Sequence, residues 1–330
     1  MLALVEITPW YWVGFILCVL IFLALDLGLF HKQAHVVSVK EALGWTAVWV
    51  TLALLFAFSL IFLRGRKEAL EFFTGYFIEV SLSMDNVFVI ALIFGYFKVA
   101  PQFQHRVLFW GILGALIMRG LMIWAGVELI TRFDWLLYIF GAFLVLTGIK
   151  MLLSKEESVH PEKSWIVRGA KKLLPVSSDF DGQNFLTRVN GRRMLTPLFL
   201  VLLMVETTDL IFAVDSIPAI FGVTRKPFIV FTSNVFAILG LRSMYFVLAG
   251  AIGLFRYLKV GLSVVLVFIG VKMLIDPHDK PPHWYQFDIP DSTSLLMVVT
   301  IIIISILFSI IATRRERERV NAAQRNKDHS

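Results

Sequence analysis

The sequence predicts an all-α fold, a polytopic membrane helical bundle of about nine transmembrane helices that holds two inverted three-helix repeats. Three observations predict it. The composition is 58% hydrophobic and only 17% charged, with a mean hydropathy of +0.78, whereas soluble domains have about 45–50% apolar and about 25% charged residues. Nine apolar runs are each long enough to cross a bilayer, which takes about 20 residues of helix. One of those runs recurs later in the chain with its Gly-x-Lys-Met-Leu segment kept.

The runs lie at about 10–30, 43–63, 71–97, 106–127, 133–153, 196–222, 227–252, 255–275 and 293–313. Strands are not expected, because an open sheet edge leaves backbone groups unsatisfied in lipid. The first run is too long for the apolar core of a signal peptide and lacks a basic flank and a small-residue cleavage site, so it reads as a first transmembrane helix. Glu6, Trp10, Tyr11 and Trp12 form an interfacial belt dominated by aromatics. Cys18, the single cysteine, excludes an internal disulfide or a multi-cysteine metal site and reads as a small buried hydrophobe. Gly111 and Gly114 allow close helix packing. Residues 1–70 carry two N-terminal helices, 71–153 a first three-helix repeat, 154–195 a polar cytoplasmic loop, 196–276 a second repeat, and 277–330 a last helix with a basic tail. Within the loop a short amphipathic helix is expected around 163–174. Asp179 and Asp181 lack EF-hand spacing and read as a solvated turn. Arg314 to Arg319 is a stop-transfer flank. His31 and His35 form an interfacial pair, and Asp26 reads equally as a helix-end carboxylate or a pathway residue.

The net charge of +7 would suggest nucleic acid in a soluble protein. Its placement in loops and tail points instead to orientation, so the partner is the lipid bilayer and no nucleic acid is expected. With the N-terminus outside, 21 of the 31 Lys and Arg fall on the inner side and 8 on the outer, the last two being Arg119 and Arg242 inside helices. The bias predicts N-terminus outside and C-terminus cytoplasmic, with the cluster from Arg64 to Lys67 dissenting.

Residues 133–154 and 255–276 align without gaps at an offset of 122, sharing Gly148-Ile-Lys150-Met-Leu with Gly270-Val-Lys272-Met-Leu. One helix earlier, Arg119 matches Arg242 at an offset of 123. A repeat of three helices enters the membrane the second time from the opposite side, which makes the pair inverted. Sites in such folds lie near the midplane between the repeats.

The opening helices of the two repeats carry five acids at membrane depth: Glu79 and Asp85 in one, Glu206, Asp209 and Asp215 in the other. Each is costly there, by at least ~2.5–3.5 kcal/mol on insertion scales. Glu79, Ser83 and Asn86 share a helical face at i, i+4, i+7, while Asp85 lies off it; Asp209 and Asp215 are splayed likewise. Pro218 predicts a kinked or unwound segment at Asp215-Ser216-Ile-Pro218 that lets the splayed carboxylates converge. Asp85, Asn86, Ser83, Glu79, Glu206, Asp209, Asp215 and Ser216 are the candidate metal ligands. Carboxylate, amide and hydroxyl oxygens suit Mg, Ca or Mn, and no histidine lies in these helices to favour zinc. Nearby Met84 and Met204 fit manganese better than magnesium. Arg119 and Arg242 are structural counter-charges. With Asp26 counted, six acids face two bases at membrane depth, so bound cations or protons are required and proton exchange for a divalent cation is expected. Two registers stay open: Asp85 pairs by repeat either with Asp209 or with Asp215. No nucleophile–base pair stands out, so the chain is not expected to be an enzyme or to carry a prosthetic group.

Ser83-Met-Asp85-Asn86-Val-Phe, Glu206-Thr-Thr-Asp209-Leu-Ile-Phe-Ala-Val-Asp215-Ser216-Ile-Pro218-Ala-Ile and Thr232-Ser-Asn234-Val-Phe-Ala-Ile-Leu-Gly-Leu-Arg242-Ser-Met-Tyr245 resemble the TerC family of integral membrane proteins, with a layout similar to its Alx-like bacterial members. The resemblance covers about residues 10–313. It implies a bacterial inner-membrane protein of manganese export and metal homeostasis, in some members linked to alkaline pH. It also implies that Asp85, Asn86, Glu206, Asp209, Asp215 and Ser216 form the metal pathway, with Mn2+ the transported ion. The family's name comes from tellurium resistance, but tellurite is an anion and an acidic pathway suits it poorly. The expected function is divalent-cation export; the alternative is a membrane scaffold or partner protein in metal-stress or secretion complexes, its buried acids serving structure.

Overall fold

The computed structural model describes residues 9–25, 38–153, 169, 172, 175–189, 191–249, 258–276, 286 and 289–328. Nine helices lie among them, one on each apolar run: α1 Pro9–Leu25, α2 Val39–Leu63, α3 Arg66–Tyr96, α4 Pro101–Arg132, α5 Leu136–Leu153, α6 Pro197–Phe221, α7 Pro227–Ala249, α8 Leu258–Ile275 and α9 Asp291–Asp328. Local chemistry sets several starts. Ser38 caps α2 by accepting from the Glu41 backbone N–H at 3.2 Å. Pro101 and Pro197 open α4 and α6, where a missing N–H costs nothing. Seven of the helices are long and apolar enough to span a membrane, and Pro9–Leu23 is a shorter apolar helix. The chain is an all-α polytopic membrane bundle.

Its burial pattern is that of a protein solvated by lipid. Phe62, Trp124, Leu146 and Phe308 are exposed, while Glu79, Asn86, Arg119 and Asn234 are buried. α7 is the most enclosed of these seven spans, most of it buried. It packs on α2, α3 and α4.

The expectation of no strands is corrected outside the spans. β1 Leu186–Val189 and β2 Arg192–Leu195 form an antiparallel hairpin in the loop before α6. Gly191, at φ +77°, takes the left-handed turn position between them. A hairpin is excluded only from hydrocarbon, and this segment is polar. The expected helix at 163–174 lies outside the described residues except for Gly169 and Lys172, both helical. Asp26, His31 and His35 also lie outside them. Cys18 is exposed rather than buried. It lines a groove of about 420 Å3 between α1, α2 and α7, with Trp10, Phe15, Trp49 and Phe228.

Helix directions follow from the contacts. α3 and α7 run the same way, since Glu71 meets Thr224 and Lys226 at one end and Phe94 meets Tyr245 at the other. α4 and α6 also run the same way, with Gly114 against Glu206, Arg119 against Asp209 and Gly126 against Phe221. α5 and α8 are antiparallel and form the most extensive helix pair. Their seam is reciprocal. A Cβ at Gly141 would stand 2.9 Å from the Gly270 carbonyl oxygen, and one at Gly270 would stand 2.7 Å from that of Gly141. One at Gly148 would stand 2.8 Å from the Ser263 carbonyl oxygen. Only small residues let backbones come this close. The trio α3–α5 therefore runs opposite to the trio α6–α8.

Candidate functional site

Polar side chains gather where α3, α4, α6 and α7 meet. Arg119 stands at the centre on α4, 2% exposed. Its Nη2 donates to Asp209 Oδ1 at 2.9 Å and its Nε to Asp209 Oδ2 at 3.2 Å, a two-pronged pairing. Its Nη1 donates to Asn234 Oδ1 at 3.2 Å and reaches Ser216 Oγ at 3.5 Å. The same Nη1 forms an ion pair with Glu79, which is fully buried. One guanidinium thus ties four helices together. Its five donors and fixed plane suit this better than an ammonium would.

Arg119 faces more than one carboxylate. Glu79 and Asp209 present two carboxylates to the single guanidinium of Arg119. Glu206 adds a third carboxylate one turn before Asp209, close enough to interact with it electrostatically. Glu206 lies where a Cβ at Gly114 would stand, so the glycine makes the room it occupies. Several acceptors also lack partners. Ser83 Oγ, Asn86 Oδ1 and Glu206 Oε2 are buried with no hydrogen bond among the described residues, and neither Glu79 oxygen has one beyond its ion contact. Buried polar atoms of this kind are rare in native proteins. Glu79, Ser83 and Asn86 lie on one face of α3, as their spacing predicts, and all three are buried.

Two expected members stand apart. Asp215 is half-buried on another flank of α6, hydrogen-bonded by Thr147 and facing Lys150 of α5. Asp85 is half-buried on α3, off the Glu79 face. The predicted unwinding at Pro218 is not there. α6 stays helical through Pro218 to Phe221, and the Gly222 N–H donates to the Pro218 carbonyl at 3.1 Å. The proline sits in the last turn, where only the Val214 carbonyl loses its intrahelical donor. Asp209 and Asp215 therefore stay splayed. No group of three or more His, Cys, Asp or Glu side chains is close enough to hold a metal among the described residues. Arg242 is buried in α7.

Residues beyond the sequence expectation also matter. Asn234 completes the Arg119 shell. Its signal was the run Thr232-Ser-Asn234, three polar residues inside an apolar helix, all fully or almost fully buried. A second polar cluster closes the start of α3. Glu68 and Glu71 are buried there. Arg64 pairs with Glu68, and Lys226 lies 3.3 Å from Glu68 and 3.1 Å from Glu71. The Thr224 hydroxyl donates to Glu71 at 2.8 Å. Arg64, part of the dissenting basic cluster, is thus held by a buried acid. Lys272 is buried in α8 as well, so the set of membrane-depth bases is larger than two.

Comparisons agree with this architecture. The profile of the integral membrane protein TerC family matches residues 64–317. A Myxococcus xanthus membrane protein is 52% identical over 93% of this chain and 94% of its own length. A Salmonella typhi protein carrying the name "Putative membrane-bound redox modulator Alx" is 47% identical over 96% of this chain and 98% of its own. Its namesake in Escherichia coli strain K12 is 47% identical over 94% and 98%. No solved structure matches the chain. A multi-pass membrane bundle with an arginine-centred acidic junction, matched by this profile over most of its length, belongs to the TerC family of integral membrane proteins.

Proposed function

We propose that this chain is a secondary transporter that exports divalent cations across a bacterial inner membrane, Mn2+ foremost, in exchange for protons. The observation that carries the reading is the buried junction: Glu79 and Asp209, with Glu206 adjoining, share one arginine and are flanked by oxygen acceptors without partners. Ionised groups in a membrane interior are paired, neutralised or functional. Hard oxygen donors of this kind suit Mn2+, Mg2+ or Ca2+. Asp85 and Asp215 line the route to and from the junction rather than its centre. The opposed trios and the reciprocal α5–α8 seam support an inverted repeat. At an offset of 122, Gly141 matches Ser263 and Gly148 matches Gly270, so the contacts Gly141–Gly270 and Gly148–Ser263 exchange under a two-fold axis. Such folds bind cargo at the repeat interface and rock about it. The N-terminus faces outward and the C-terminus the cytoplasm.

A scaffold role is the competing reading, and the neutralisation of acids by Arg119 is the observation in its favour. The redox name of the relatives does not imply an internal dithiol here, since Cys18 is the single cysteine. The test is total cell manganese in bacteria loaded with Mn2+. Expression of the chain should lower it, and Asp209→Asn, Asp85→Asn and Asp215→Asn at equal abundance should restore it. Manganese content unchanged in every strain would favour the scaffold.

A further inference from the structure

We propose that Arg119 is a tethered surrogate cation: its guanidinium occupies the cation site of the empty protein, and an arriving divalent ion must displace it. This rests on the reading that the junction carries divalent cations. The single charge of Arg119 balances one carboxylate. Its guanidinium holds Glu79 and Asp209 at once and adds Asn234 and Ser216, so it occupies the point where α3, α4, α6 and α7 converge. On the Glu79 face of α3, Ser83 Oγ and Asn86 Oδ1 are buried with no hydrogen bond among the described residues. A guanidinium in a fixed plane cannot serve them while it grips Asp209 with two prongs. A divalent ion, which takes six or more oxygen ligands, draws on hydroxyl, amide and carboxylate together.

Charge points the same way. Glu79 and Asp209 with Arg119 sum to −1. With a divalent ion in place of the guanidinium they sum to zero, and with both present to +1. Two cations sharing one buried site repel strongly at low dielectric, so occupancy is exclusive. Glu206 gives the displaced side chain somewhere to go. It packs on Gly114 of Arg119's own helix and neighbours Asp209. The arginine thereby keeps the empty pathway filled, so that small monovalent ions do not leak through it. Cargo release is assisted by its return.

The experiment measures Mn2+ binding to the purified full-length protein in nanodiscs, by loss of the free Mn2+ paramagnetic signal. Arg119→Gln removes the competitor and should bind Mn2+ at least tenfold more tightly than wild type, while exporting it more slowly. Arg119→Lys keeps a cation that cannot bridge both carboxylates and should bind about threefold more tightly. It decides the matter should the glutamine variant fail to fold. Wild-type binding with neither variant tighter overturns the surrogate role alone. Absence of Mn2+ binding in wild type and both variants, with the helical signal intact, overturns the cation site and the surrogate role together.

Discussion

Removing Arg119 should damage the fold more than removing either of its carboxylates, and charge counting gives the order. Arg119→Met leaves Glu79 and Asp209 buried with no counter-charge, in a junction that summed to −1 before the change. Breaking a buried ion pair from one side costs about 3–5 kcal/mol. Here two carboxylates lose their partner, so the top of that range applies. Asp209→Asn acts differently. It gives up two charge-assisted hydrogen bonds, about 1.5–3 kcal/mol for a bond to a charged group, but brings the local sum to zero and leaves Glu79 paired with Arg119. Asp215→Asn touches a half-buried group that keeps Thr147 as a neighbour and should cost least, under about 1 kcal/mol. The assay is thermal unfolding in detergent without divalent metal, followed by helical circular dichroism. Melting temperatures are compared as a rank, because a multi-pass membrane protein need not unfold in two states. Adding Mn2+ at about 100 times its Kd should restore about 2.7 kcal/mol to a variant that binds it. An Asp209→Asn variant melting below Arg119→Met, or an Arg119→Met variant melting with wild type in the absence of metal, would refute this order.

Three further outcomes are expected. Gly270→Ala drives a methyl to 2.7 Å from the Gly141 carbonyl oxygen and should cost about 1–3 kcal/mol by overpacking; Gly141→Ala should fail at the same seam, which thermal melts of both will show. Thr224→Ala removes the 2.8 Å bond to Glu71, worth about 1.5–3 kcal/mol as a bond to a charged group, and the same melts should register the loss, whereas Thr131→Ala on the exposed end of α4 should not. In a Cys18→Ser background, Glu6→Cys should react with an impermeant maleimide added to intact spheroplasts, and Ser330→Cys only after lysis; the reverse pattern would invert the orientation.

The fold was legible because its chemistry is crude. Twenty apolar residues in a row admit one structure in lipid, and each of the nine runs carries a helix. The Glu79–Ser83–Asn86 face was also legible, since i, i+4, i+7 spacing needs only helical geometry. Pro218 misled because its effect depends on position: a proline in the last turn removes one bond near a helix end rather than breaking the middle. Asp215 stays apart from Asp209 for the same reason, because without a break its carboxylate cannot swing from the Thr147 flank to that of Asp209. Asn234, Glu68 and Glu71 were missed because neutral or near-terminal polar residues raise no alarm in a charge count. Asn234 depends on a partner 115 residues away, and Glu71 on partners 153 and 155 residues away. Cys18 looked buried because its run is apolar, but apolar sequence in a membrane protein is also what faces lipid.

Transport by a single purified species tests the account most directly. Proteoliposomes loaded with a Mn2+-sensitive dye and bearing an outward proton gradient should take up Mn2+ with the wild-type protein, and uptake should slow when the gradient is collapsed. Asp209→Asn, reconstituted in equal amount and with its helical signal intact, should bring uptake to the level of empty vesicles. Uptake by Asp209→Asn equal to that of wild type, or none by wild type above empty vesicles, would contradict the claim that the arginine-centred junction is the path of the ion.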